Sequence, residues 1–113
     1  MLIVRTRISR ADLAALAAQQ FGDMVKAVVD IERGIMAVGG ELHADEEAVL
    51  MDEGSRQPDL WGINLYPASH DAAWIEFDSM INVRPSQGNR SRDVENPSVR
   101  EAIGTVVSRL VAD

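Results

Sequence analysis

Arg84-Pro85-Ser86-Gln87-Gly88-Asn89-Arg90-Ser91-Arg92 packs three arginines, two amides and two hydroxyls into nine residues. Guanidinium forks match the paired oxygens of carboxylate and phosphate. Asn96-Pro97, a few residues on, marks a helix start, and a helix N-terminus favours negative charge. The chemistry suggested is capture of a small anion by Arg84, Ser86, Gln87, Asn89, Arg90 and Arg92. The competing reading is an ordered connection whose arginines pair with the chain's own acids. The segment is neither a Walker motif nor a dinucleotide fingerprint, so it implies no nucleotide.

The residues before this loop alternate. Ile75, Phe77, Ile81 and Val83 point to one side, and Trp74, Glu76, Asp78, Met80, Asn82 and Arg84 to the other. Glu76 and Asp78 would then share a polar sheet face, joined by Lys26, Asp30 and Glu32 and by Asn64 on other strands. Two carboxylates there would bind a divalent cation weakly or do acid–base work. Alternation alone also produces solvated sheet faces of this kind. In Gly39-Gly40-Glu41-Leu42-His43-Ala44-Asp45-Glu46-Glu47, His43 and Asp45 are two apart. On a strand they would point the same way and could share a metal ion. Two ligands fall short of the three or four that zinc takes, and a hydrogen-bonded histidine before an edge strand is the plainer reading. No cofactor is identifiable. His70 reads as surface, and Trp61 and Trp74 as packing. The serines and histidines form no nucleophile-elbow pattern, and no reaction is assigned.

These groups need a scaffold. Leu2 to Ile8 reads as a strand. Ser9 caps a helix over 10–21, with Leu13, Leu16, Ala17 and Phe21 as its stripe and Gly22 as its stop. Met24 to Val38 reads as a hairpin, strands 24–31 and 35–38, turning at Glu32-Arg33-Gly34. Strands follow at 46–51, 60–66 and 73–84, and a second helix near 97–111 carries Val99, Ile103, Val106, Val107 and Leu110. The order predicts an α+β fold. It would be one two-layer domain over residues 1–113, a mostly antiparallel twisted sheet of about five or six strands with two helices on one face. The other face would be open to water or a partner.

A chain of 113 residues is the usual size of one domain. Its net charge of -7 argues against general binding to nucleic acid or anionic membrane. Five of its eleven basic residues lie after Val83, against four of its eighteen acids. There is no cysteine, hence no disulfide and no thiolate site. No apolar run approaches the roughly 20 residues that span a bilayer. With no signal-peptide pattern at the start, a cytoplasmic location is expected.

Three strings are distinctive: VVDIERGIMAVGGELHADEE, DLWGINLYP and IEFDSMINVRPSQGNRSR. From about Phe21 to the C-terminus the chain resembles a family of small bacterial and archaeal proteins, domain of unknown function 5674. The resemblance implies a stand-alone domain of this length and no activity. Two functions compete. One is a small-ligand or anion-binding domain using the loop 84–92 and the acidic face beside it. The other is a homodimeric or protein-interaction module without catalysis, favoured by Trp74 and Met80 on an otherwise polar face.

Overall fold

The computed structural model describes residues 1–112. Two short strands, β1 (Leu2–Val4) and β2 (Ile8–Ser9), lead into helix α1 (Arg10–Gln19). Ser9 Oγ accepts the Asp12 N–H at 3.0 Å, the expected cap. The helix ends two residues before Phe21, where the Gly22 N–H bonds the Ala17 carbonyl at positive φ. Strands β3 (Val25–Asp30) and β4 (Ile35–Val38) form the expected hairpin. Asp30 Oδ1 accepts the N–H groups of Glu32 and Arg33 in its turn.

Residues 46–51 depart from expectation. They are no strand but part of helix α2 (His43–Asp52). Strand β5 (Leu60–Leu65) follows, then β6, which is only Ile75–Glu76. The expected long strand over 73–84 is interrupted on both sides of β6, by 3₁₀ turns at Ala72–Trp74 and Met80–Asn82, and a further 3₁₀ turn follows at Pro85–Gln87. Helix α3 (Pro97–Leu110) starts at Asn96, whose Oδ1 accepts the Ser98 N–H at 2.8 Å. The last element is β7 (Val111–Ala112).

The main sheet is antiparallel in the order β1-β4-β3-β5-β6, and β7 pairs in parallel with β2. Val25, Ala27, Val29, Trp61, Ile63 and Leu65 pack under α1 and α3, against Leu13, Ala17, Ile103, Val106 and Leu110. Both predicted helices therefore lie on one face. Val28, Ala37 and Leu60, of opposite parity, pack with Leu50 of α2. The face expected to be open thus carries a third helix, and the packing is three layers rather than two. Among the described residues no helix is long and apolar enough to cross a membrane.

Where β6 ends, side chains continue its work. Asn82 Oδ1 accepts the Gly62 N–H at 2.8 Å, and Asn82 Nδ2 donates to the Gly62 carbonyl at 2.9 Å. Two residues along β5, Arg84 donates to the Leu60 carbonyl. Gly62 itself has no room for a side chain, since a Cβ would lie 2.5 Å from Ser79.

Asn82→Ala orphans both polar groups of a buried strand residue, and each costs about 1–3 kcal/mol. The expected loss is therefore about 3 kcal/mol, read by urea unfolding. Asn82→Asp places an oxygen against the Gly62 carbonyl and should do no better. A loss under about 0.5 kcal/mol for either variant, the range of an ordinary surface substitution, would show that β5 does not need this side chain.

Candidate functional site

Three adjacent strands place one polar residue each at the same register. Lys26 on β3 lies opposite Asn64 on β5, and Asn64 lies opposite Glu76 on β6. Neighbours in such a row have Cβ atoms about 5 Å apart. The row runs cation, amide, carboxylate across the face that carries α2. It floors a cleft of about 360 Å³ whose walls include His43, Asp78, Ser79 and Arg92. The expectation from alternation that Lys26, Asn64, Glu76 and Asp78 share a face is met. Asp30 has the same parity but serves its own turn.

Hydrogen bonds order the floor. Asn64 Nδ2 donates to Glu76 Oε1 at 2.9 Å and to the Asp78 carbonyl at 3.2 Å. Because both partners are acceptors, the amide orientation is determined. Its Oδ1 is buried beside His43 without a hydrogen bond of good geometry. Tyr66 Oη donates to the same Glu76 oxygen at 3.1 Å. Arg92 Nε meets Asp78 Oδ1 at 2.7 Å at the exposed rim.

His43 opens α2 and is 8% exposed. Its Nε2 lies 2.8 Å from the Ile63 carbonyl. A carbonyl only accepts, so Nε2 carries the proton. Burial lowers the imidazole pKa and Lys26 lowers it further, together outweighing the Ile63 hydrogen bond and the smaller raising effects of the neighbouring Asn64 side chain and the Asp78 charge. The ring is neutral at pH 7, and its Nδ1 offers a lone pair. Asp45, expected to share a metal with His43, is exposed on the same helix. Residues two apart on a helix do not face each other. The shared orientation belonged to a strand that does not form. Among the described residues no three histidine or acidic side chains are grouped as a metal site.

The arginine loop is largely consumed by its own fold. Arg84 directs its five N–H groups to the carbonyls of Ile81, Gln57 and Leu60 and to Gln87 and Glu47. None is left for a ligand. Asn89 Nδ2 serves the carbonyls of Asn82, Ser91 and Asp93, and its Oδ1 accepts the Glu95 N–H. Gln87 binds the Pro58 carbonyl. Ser86 and Arg90 are exposed. Of the eight ligand candidates, the cleft gathers Arg92, Glu76 and Asp78, and the other five lie outside it.

A family model described as a protein of unknown function (DUF5674) matches residues 2–110. The chain belongs to the DUF5674 family. No curated protein and no solved structure matches it. Membership confirms the sequence resemblance and extends it over α1, and it assigns no chemistry.

Glu46, one turn after His43 on α2, is fully buried. Its Oε2 accepts the Gly40 N–H at 3.0 Å, while Oε1 has no partner. Gly40 is required beside it, because a Cβ there would come within 2.7 Å of Glu46 Cγ. Burial pushes the carboxyl pKa up from 4.5 to about 9. The folded state therefore keeps a proton that the unfolded state gives up, and unfolding releases it. Stability should fall as pH rises from 7 to 9, a range in which His43 is already neutral. Melting temperatures across that range should decline for the native chain and flatten for Glu46→Gln. Parallel slopes in the two proteins would mean that Glu46 is ionised in the fold.

Proposed function

We propose that this chain is a small-ligand-binding domain whose site is the cleft between the Lys26–Asn64–Glu76 row and the start of α2. The observation that carries the reading is Asn64. It is 6% exposed and fully committed on its nitrogen, yet its oxygen has no partner. A buried acceptor left unmatched costs about 1–3 kcal/mol, and a ligand donor would recover that. Beside it stands a neutral histidine with one nitrogen already engaged. The cleft volume of about 360 Å³ falls within the range of small-molecule sites. Met24, Leu42 and Ile81 supply apolar wall for a carbon skeleton. Of the residues expected to act with the whole loop 84–92, Arg92 and Asp78 serve here as one rim of the cleft and Glu76 as part of its floor.

The interaction-module reading drew on an open face and on Trp74 and Met80, but α2 packs on that face and Trp74 packs against the core on the other side. Met80 remains exposed at the cleft mouth.

The test is a fragment screen followed by amide chemical shifts in the ¹⁵N-labelled protein. Binders should cluster their shifts on Lys26, His43, Asn64 and Glu76. Asn64→Leu, which removes the unmatched acceptor, should lower affinity about tenfold, as expected for one lost hydrogen bond of about 1.4 kcal/mol. Fragments that bind only elsewhere would overturn the assignment.

A further inference from the structure

Helix α2 begins without a cap. Its N-cap residue is Leu42, whose side chain cannot accept a hydrogen bond. The Asp45 and Glu46 N–H groups reach back to the Leu42 carbonyl. Those of His43 and Ala44 have no acceptor among the described residues. Leu42, His43 and Ala44 all line the cleft. Helix α3 contrasts with this, being closed by Asn96 and by Pro97 in its first turn.

Lys26 lines the same cleft. It is half-buried and lies over the Phe21 ring, 5.2 Å from its centroid. No carboxylate pairs with it among the described residues. The two carboxylates on the cleft floor are already occupied, Asp78 by Arg92 and Glu76 by Asn64 and Tyr66. An unpaired ammonium and two unsatisfied helix N–H groups therefore border one small volume, a combination suited to an oxyanion. Directly beside them sit two acceptors, the unmatched Asn64 Oδ1 and the unprotonated Nδ1 of His43. A bare oxyanion would satisfy the first set and be repelled by the second.

We infer that the cleft takes a small oxyanion, carboxylate or phosphate, that also carries a hydrogen-bond donor. The oxyanion lies against Lys26 and the His43 and Ala44 N–H groups. The donor, a hydroxyl or amine, faces His43 Nδ1 and Asn64. This inference rests on the cleft being the ligand site and adds the class of ligand.

Inorganic phosphate and sulfate separate the two requirements. At pH 7 phosphate keeps a P–OH donor and sulfate has none. Amide shifts of the ¹⁵N-labelled protein would be followed during titration with each, at ionic strength matched with chloride. Phosphate should move the His43 and Ala44 amides saturably, leave Ser98 and Val99 at the start of α3 unmoved, and bind more tightly than sulfate. Lys26→Met should weaken phosphate roughly tenfold or more, as for one charge-assisted contact, while Lys26→Arg retains most of it. Melting curves would confirm that both variants fold, and Lys26→Gln replaces the Met variant if that one does not. Phosphate shifts absent at 43 and 44, matched by chloride, or unchanged by loss of the lysine charge would overturn the inference. So would sulfate binding as tightly as phosphate. If neutral or cationic fragments occupy the cleft while phosphate does not, the ligand class falls and the cleft stands. If nothing occupies it, both fall.

Discussion

The outer edge of β5 must find hydrogen-bond partners, because buried main-chain groups left unpaired are costly. Strand β6 covers only Asn64 and Leu65. Past that point the chain lifts away and returns two side chains, Asn82 to Gly62 and Arg84 to Leu60. Much of the architecture around the site follows from this substitution. The lift places Ser79 above Gly62, a contact only glycine allows. It sets Asp78 at the cleft rim and draws Arg92 to it. Asn89 then holds the returning loop by gripping the Asn82 carbonyl and two others. Arg84, which looks available for a ligand in the sequence, thus turns out to be architectural.

The features legible in the sequence were those whose signals are local. Ser9 and Asn96 mark helix starts whatever the tertiary setting, and both do so here. Period-two alternation grouped Lys26, Asn64, Glu76 and Asp78 on one face, and that grouping survives even though the strand ends at Glu76 and Asp78 lies beyond it. Alternation reports which way side chains point. It does not report whether the neighbouring backbone is met by another backbone or by an amide, so the break after Glu76 was invisible. Helix α2 was hidden for a different reason. It lacks a capping residue, and its inward stripe is His43, Glu46 and Leu50, two of which are polar by type. The three-and-four spacing and the acids in the first turn were the available clues. Nothing in the sequence signals that Glu46 is buried, and it is burial that raises its carboxyl pKa.

The missed helix matters most for the site. Read as a strand, residues 43–47 offer a pair of metal ligands. As a helix, they bring one neutral imidazole and two free amide N–H groups to the floor built by β3, β5 and β6. The proposed site accordingly moves anion capture from the loop after Val83 to the start of α2. Lys26 differs from Arg84 and Arg92, whose guanidiniums are held by carbonyls or by a carboxylate.

The pairing of β2 with β7 has a consequence for how the domain is made. Ile8 lies beside Val111 and Ser9 beside Ala112. These contacts close a loop of about a hundred residues, among the last that a growing chain can form, and contacts of such long range slow folding. On the ribosome, α1 and the β3–β4 hairpin are available early, but α1 begins beside a strand partner that has not yet been synthesised. The completed fold, including the seating of α3 over Ala27 and Val29, must wait until residue 111 has cleared the exit tunnel. Until then the apolar underside of the sheet has only half its cover, and it is in this interval that the nascent chain is most open to chaperones or to misassociation.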